Sequence, residues 1–397
     1  MYDVAIVGAR CGGAALAAFL GRLGYRVLLV DRYARPGATL STHLIGETDV
    51  YERLGIRKRM ENAGAPSITR MRVDLNGTTF ESDIVVTSRV IGLRRELFDP
   101  MLLDSAAIWP TVDIRLKTTV QSVARRGEAT YIKLSDRNGC DETVKARVII
   151  GADGRHSIVA EQVCSRKLQS VEYSHGVLYV YVEGLTEQVT PAVEWYWHKE
   201  SIVIVNPIDK GMHCIAVMLP QAIIELWGSK PIHNMLEWLQ QIRMLAPRIS
   251  HMRIISPPRG LARIQGYLRE CYGPGWALVG DAGAHLHPVS GVGIDNAVCC
   301  AEYLASALHN YLSGQELWED AMQQYTYQRD ERICPQYNAA LLTLARTAET
   351  ILSESEERLK MICTFPSFVH GMAEQAQQVY TTILEGMAPR GTGARNA

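Results

Sequence analysis

The sequence predicts an α/β chain in which a Rossmann-like nucleotide-binding lobe is interleaved with a β-sheet-rich lobe and followed by C-terminal helices. Three observations predict it. A short apolar strand at the N-terminus runs straight into a glycine cluster and a small-residue helix. Two further buried-type strands, far along the chain, end in loops built of Gly and Asp. Between these visits the pattern changes to alternating β segments.

Taken in order, Asp3-Val4-Ala5-Ile6-Val7 is an apolar run of the kind buried in parallel sheets, and Gly8-Ala9-Arg10-Cys11-Gly12-Gly13 follows at once. Residues 14–23 read as helix, Gly24 ends it, and Arg26-Val27-Leu28-Leu29-Val30 is a second buried strand, completing one βαβ unit. Residues 49–62 read as one polar-faced helix. Met71-Arg72-Val73-Asp74-Leu75 then alternates, Asn76-Gly77 marks a tight turn, and Thr78-Thr79-Phe80 resumes the strand. Such a hairpin does not belong to a buried parallel sheet. Residues 95–107 are helical, and residues 113–150 supply strands around the turn Arg137-Asn138-Gly139. Residues 176–183, 192–198, 201–205 and 213–219 are β segments, followed by a helix over 235–245. Trp276-Ala277-Leu278-Val279 is one more buried strand, leading through a second glycine-rich loop into a long helix over 294–312. The expected division is 1–69, 92–170 and 265–315 for the nucleotide-binding lobe, and 70–91 with 171–264 for the β-rich lobe. Residues 316–389 read as C-terminal helices and 390–397 as a disordered tail.

Composition narrows the function. Lys plus Arg (41) nearly balance Asp plus Glu (42), and no basic block stands out, so nucleic acid is not an expected partner. The nine cysteines contain no CxxC pair, which fits free thiols in a reducing cytoplasm better than a disulfide framework. The apolar start over residues 4–20 has no basic leader and is broken by Gly8, Gly12 and Gly13, so it is not read as a signal peptide. No run approaches a membrane span, and stable membrane insertion is not expected. Mixed charges over residues 354–360 suit a solvent-facing C-terminal segment, and the chain is expected to be a monomer or homodimer.

The glycine cluster carries the first chemistry. A dinucleotide fingerprint needs glycine for the tight turn, for close approach of the diphosphate, and for helix–strand packing. Gly8 and Gly13 fill the first and third roles, while Arg10 stands at the middle position and adds a cation. Helix N–H groups can still face an anion there. Asp31 ends the second strand, where a carboxylate accepts bonds from ribose hydroxyls. Two later loops join it: Gly151-Ala152-Asp153-Gly154, and Gly280-Asp281-Ala282 leading into Pro288-Val289-Ser290-Gly291-Val292-Gly293-Ile294-Asp295-Asn296.

With these three motifs in this order, the chain resembles the single-component FAD-dependent monooxygenases of the para-hydroxybenzoate hydroxylase fold family, over roughly residues 2–315. Geranylgeranyl reductases and flavin-dependent halogenases share that scaffold. The resemblance implies FAD as cofactor, with Gly8, Arg10 and Gly13 around its diphosphate and Asp31 at the adenosine ribose. Arg95, ahead of Phe98-Asp99, is similar to an FAD-contacting arginine, and Arg32, Thr42 and Val123 complete the implied cofactor set. Asp153 would lie near both FAD and the reductant, and Asp281 at the ribityl chain. Pro288, Gly291, Gly293 and Ile294 would lie beside the isoalloxazine, where a helix N-terminus favours the negative charge of reduced flavin. The pattern departs from the family in three places: His285 is displaced by one position, Asp295 replaces asparagine, and Ala160 replaces an arginine.

The same resemblance implies NAD(P)H as a transient reductant, because no second glycine fingerprint exists, and O2 captured as a C4a-hydroperoxyflavin. His285, His287 and His43 are candidate proton carriers, though loop histidines are as often structural. Tyr179 and Tyr181 on one strand, and Trp195 and Trp197 on another, either line a substrate pocket or form the sheet's core. A halogenase is expected to carry Trp-x-Trp-x-Ile-Pro and a lysine. Here Trp195-Tyr196-Trp197-His198 is followed by Lys199-Glu200, and residues 73–80 hold no lysine. A prenyl reductase often has a cysteine after the second strand, where this chain reads Leu40-Ser41-Thr42-His43. The expected reaction is hydroxylation or epoxidation of a hydrophobic, aromatic metabolite, a tailoring step in secondary metabolism. The alternatives are a C=C reductase and a non-catalytic flavin-binding redox sensor.

Overall fold

The computed structural model describes residues 1–35, 40–46, 49–75, 77–84 and 89–345. Its first large sheet runs in the order Tyr272–Gly273, Trp276–Leu278, Asp141–Gly151, Tyr2–Val7, Val27–Asp31 and Val112–Leu116. Tyr2–Val7 sits at its centre and pairs in parallel with both neighbours, Val4 opposite Val148 on one side and Val27 on the other. A strand buried on both faces has no use for alternation, which is why Val4, Ala5 and Ile6 are consecutive and all buried. Asp141–Gly151 is long enough to pair in parallel with Tyr2–Val7 and antiparallel with Ala129–Ser135, which continues to Thr119–Arg126. The helices Cys11–Arg22, Arg95–Ala107 and Gly293–Leu312 share one hydrophobic core against this sheet. Their approach is close because eight of the twelve residues of Cys11–Arg22 are Gly, Ala or Cys, and eleven of the twelve are buried.

The second large sheet runs Arg253–Ile254, His175–Glu183, His213–Pro220, Ser201–Pro207, Ala192–His198, Arg70–Leu75 and Thr78–Asp83. The hairpin Arg70–Leu75 and Thr78–Asp83 is antiparallel, but Arg70–Leu75 also pairs in parallel with Ala192–His198. Alternate residues feed two different cores. Val180, Val203 and Val217 point to a core completed by Trp227, Met235 and Leu239 of the helices Gln221–Trp227 and Pro231–Gln240. Tyr179, Ile204 and Ala216 point the other way, to a core shared with Leu44 of the strand Leu44–Gly46, Val289, and Ala340 of the helix Trp318–Ala345. Fully buried Asp209, between Ser201–Pro207 and His213–Pro220, ties the second sheet to the head of Arg95–Ala107: it accepts the Arg94 backbone N–H (3.1 Å) and the Arg94 guanidinium (2.7 Å).

Some elements differ from their expected form. The helix expected over 49–62 is two short ones, Val50–Arg53 and Arg57–Glu61, broken where Gly55 turns to φ +72°. The helix expected over 235–245 starts earlier, at Pro231, and stops at Gln240. Two small three-stranded sheets were not foreseen: Leu44–Gly46 with Val90–Gly92 and Ser67–Ile68, and Lys167–Glu172 with Gln265–Arg269 and Ala284–His285. Of the expected C-terminal helices, Trp318–Ala345 is observed, and the rest of residues 346–389, with the tail 390–397, lies outside the described residues. Every cysteine among the described residues is a free thiol. Among those residues no helix is long and apolar enough to cross a membrane, and no group of three or more His, Cys, Asp or Glu could hold a metal ion.

Candidate active site

The ends of the buried parallel strands meet at a cavity of about 460 Å³. Three loops build it, each leaving a strand of the first sheet at its C-terminal end, where α/β sheets place their ligands. At one wall Gly8 takes φ +104° and its missing side chain lets the loop press on Ala152, whose carbonyl oxygen a Cβ would meet at 2.3 Å. Gly13 does not line the cavity; a Cβ there would stand 1.8 Å from the Gly8 carbonyl oxygen, so its absence lets helix and strand touch. Cys11 and Gly12 expose the head of the Cys11–Arg22 helix to the cavity, an end with N–H groups free for an anion. Arg10 stands beside it and forms no ion pair among the described residues; with Arg32 it flanks the ring of Tyr33. Asp31 accepts the backbone N–H of Ala9 and of Tyr33, both at 2.8 Å, which ties the glycine loop to the strand end.

The opposite wall comes from residues 279–297. Asp281 is exposed at its edge with no ion pair among the described residues. Pro288, Gly291, Gly293 and Ile294 line the end where the 20-residue helix Gly293–Leu312 begins. Asp295, next along, turns away from the cavity. Its carboxylate accepts the Gly46 N–H (2.8 Å) and the Tyr51 hydroxyl, and burial pushes its pKa up to about 6. Arg95 reaches the cavity from below and is fixed by two bonds to Asp99 (2.7 and 2.8 Å); burial opposes its charge, and Asp99 more than restores it. Asp153 accepts the Ile158 N–H (2.7 Å), has one oxygen without a partner, and is raised in pKa by burial. Val123 lies outside the cavity; Thr118, Thr119 and Val120 line it instead, as do Arg155 and His156, which the sequence motifs had passed over although they directly follow Asp153-Gly154.

The three histidines have different fates. His285 lines the cavity, donates from Nδ1 to the Gln265 carbonyl oxygen (2.7 Å), and keeps Nε2 as an acceptor without a partner. His287 also lines it, but Nδ1 accepts the Val289 N–H (3.1 Å) and Nε2 donates to the His175 carbonyl oxygen (3.2 Å). That leaves it neither a lone pair nor a proton to offer, and burial lowers its pKa to about 3. Thr42 and Leu44 line the cavity, whereas His43 between them, at φ +63°, turns its ring onto Tyr179 and Tyr181. Its Nε2 meets the Tyr181 hydroxyl at 2.9 Å, and burial, with Arg95, Arg259 and Arg94 nearby, lowers its pKa to about 3. Tyr179 and Tyr181 are buried in the core behind the cavity, Trp195 and Trp197, half-buried and stacked at 5.4 Å, pack against that core, and none of the four lines the cavity.

This arrangement fits a dinucleotide carrying a flavin. It offers an unpaired cation at a helix head for a diphosphate, carboxylates at Asp31 and Asp281 for two polyhydroxyl segments, and a second helix head for an electron-rich ring edge.

Comparison with known proteins agrees. A family model described as "FAD binding domain" matches residues 1–334. A digeranylgeranylglycerophospholipid reductase of Methanocella arvoryzae is 24% identical over 331 residues, covering 82% of this chain and 81% of that protein. A probable NADH-specific resorcinol 4-hydroxylase of Rhodococcus jostii is 25% identical over 338 residues, covering 79% of this chain and 59% of that protein. The crystal structure of p-nitrophenol 4-monooxygenase PnpA from Pseudomonas putida superposes with a TM-score of 0.80 at 16% identity, covering 96% of this chain and 98% of that one. Halogenating enzymes also occur among the matches.

Proposed function

We propose, for a chain that belongs to the FAD binding domain family, the hydroxylation or epoxidation of a hydrophobic, aromatic small molecule with NAD(P)H as reductant and O2 as oxidant. The protein is an FAD-dependent oxidoreductase whose relatives and structural neighbours include FAD-dependent monooxygenases. One observation carries the finer reading: the flavin end of the cavity, at Pro288 and Leu44, backs onto the apolar core that holds Leu44, Val289 and Tyr179, with Trp195 packed against it. Oxygen insertion needs such a water-poor neighbourhood.

In this reading Arg10 and the Cys11–Arg22 helix head hold the diphosphate, Asp31 the adenosine ribose, Asp281 the ribityl chain, and the loop 288–294 the ring. When bound, FAD supplies hydride acceptance and O2 activation. The protein's own part is to position and to exclude water. The head of Gly293–Leu312 favours negative charge beside it. Arg95, held by Asp99, keeps its charge in a buried place. His285 can take a proton at Nε2, because Gln265 fixes its tautomer. His287 instead shapes the loop through its two backbone bonds.

The test is NAD(P)H oxidation by the FAD-loaded protein with phenols and fused-ring aromatics under isotopically heavy O2. Oxidation stimulated by a ligand, with one heavy oxygen atom in the product and the other in water, is expected. A second reading, reduction of a prenyl C=C bond, is favoured by the Methanocella relative and opposed by the missing cysteine at residues 40–43. It would show as a product gaining two hydrogens without O2. Saturable ligand binding with no NAD(P)H consumption would instead indicate a sensor.

A further inference from the structure

The first turn of the Gly293–Leu312 helix carries a buried carboxylate that the reaction described above leaves unused. Gly293, Ile294 and Asn296 line the cavity, whereas Asp295 among them turns outward and is 5% exposed. One of its oxygens accepts the Gly46 N–H (2.8 Å) and the other the Tyr51 hydroxyl. Gly46 closes the strand Leu44–Gly46, whose Leu44 also lines the cavity. A charge on Asp295 therefore stands within one turn of the helix end that faces the ring, where it cancels part of the positive dipole.

Beside this carboxylate lies a second cavity, of about 20 Å³, lined by its two donors, Gly46 and Tyr51, and by Arg57, Glu61 and Arg89. A single water needs about 10–15 Å³. Exposed Glu61 meets Arg57 and Arg89, each at 3.5 Å, so the cavity has a polar, solvent-facing side. A tyrosine hydroxyl both donates and accepts, and Tyr51 thus joins that side to Asp295. The other ionisable neighbours are few. Arg332 of Trp318–Ala345 favours the charged form of Asp295, and its Nε is held by the Asn296 side-chain oxygen (2.9 Å). Cys11 and Cys299 stand near Tyr51, and burial pushes the Cys11 thiol and the Tyr51 hydroxyl far up. For Asp295 burial outweighs Arg332 and both donors, and sets its pKa at about 6.

We propose that Asp295 binds a proton when the flavin is reduced and releases it on reoxidation, with Tyr51 and the small cavity as its path to solvent. Two electrons and one proton, delivered together as hydride, leave one negative charge on the ring. One further proton passes from solvent through Tyr51 to the carboxylate and neutralises it. The oxidant, O2 or a C=C bond, takes the two electrons back, and both protons leave with them. The coupling is reciprocal: a carboxylate charge that opposes reduction is itself opposed by the reduced ring. It rests on a flavin ring at the loop 288–294, and it operates in oxygenation and in C=C reduction alike.

The experiment measures the flavin midpoint potential of FAD-loaded wild type and Asp295→Asn between pH 6 and 8, with reference dyes and no substrate. Each proton taken up by a two-electron couple adds about 30 mV per pH unit. Wild type should approach about 60 mV per unit just above pH 6, and the variant should stay near about 30. An asparagine can accept the Gly46 N–H while the Tyr51 hydroxyl turns to accept from its amide, so the variant keeps both contacts. Wild type alone gives an independent reading: with isotopically labelled aspartate, the reduced-minus-oxidised infrared spectrum should gain a protonated-carboxyl band. Tyr51→Phe should move the steep range to higher pH, because the carboxylate loses a donor that favours its charge. Equal slopes in wild type and Asp295→Asn, or no such band on reduction, overturn the proposal. Equal slopes with displaced potentials would refute proton uptake and keep the flavin beside this helix head. Equal slopes with equal potentials would remove the flavin from it as well.

Discussion

Acid should destabilise this protein, in part through two buried histidines. Ordinary imidazole titrates near 6.5, whereas burial keeps His43 and His287 neutral down to about 3. Between those limits the unfolded chain takes up a proton at each site that the folded chain refuses. The stability they contribute is complete above 6.5 and is lost as pH falls through the window, by about 1.4 kcal/mol per unit for each group. From about pH 7.5 to about pH 5.5 each should lose ~1.4 kcal/mol. Asp295 works the other way, because burial raises it from 3.8 to about 6 and the folded chain takes that proton first. Over the same interval it returns somewhat under ~1 kcal/mol. The net loss from these three groups is about 2 kcal/mol, to which His175, His198 and His213, also lowered by burial, add; a typical fold is held by ~5–15 kcal/mol. Urea unfolding at the two pH values measures it, with His43→Gln as the partner experiment because its amide can still meet the Tyr181 hydroxyl. The variant's loss should be smaller by about 1.4 kcal/mol. A variant as acid-sensitive as wild type would refute the assignment of that proton to His43.

Two further outcomes test the cavity. Gly13→Ala puts a methyl 1.8 Å from the Gly8 carbonyl oxygen, so the helix must back away from the strand. The cost should be about 1–3 kcal/mol with FAD content per chain clearly reduced, and full flavin content would contradict the close-approach argument. Arg10→Gln should weaken FAD binding about tenfold or more and flatten its salt dependence, as measured by equilibrium dialysis at several ionic strengths. An unchanged salt slope would place the diphosphate elsewhere.

The elements that were legible in the sequence are those whose signal is local. Gly8 and Gly13 after Val4-Ala5-Ile6-Val7 announce a turn and a close contact within a few residues, and Gly280-Asp281 after Ala277-Leu278-Val279 repeats the grammar. The two small sheets were not legible, because Leu44–Gly46 and Ala284–His285 are too short to show a period and take partners far away in sequence. The helix over 49–62 failed at Gly55, which a helical pattern tolerates but whose positive φ here ends the first turn. The histidines could not be ranked from sequence. His285, His287 and His43 differ in which groups approach their nitrogens: backbone groups of residues 265, 175 and 289 for the first two, and the Tyr181 hydroxyl for His43.

The order of strands in the first sheet also sets a timetable. A growing chain makes the Tyr2–Val7 strand first, yet its partner on one side is residues 146–151. The far wall of the cavity, residues 279–297, comes later still. Until those residues are made the glycine loop therefore exists without a chamber, and pairing across such sequence distances is slow. Cofactor capture waits for that wall, and a fragment released before residue 279 would carry the fingerprint and hold no flavin.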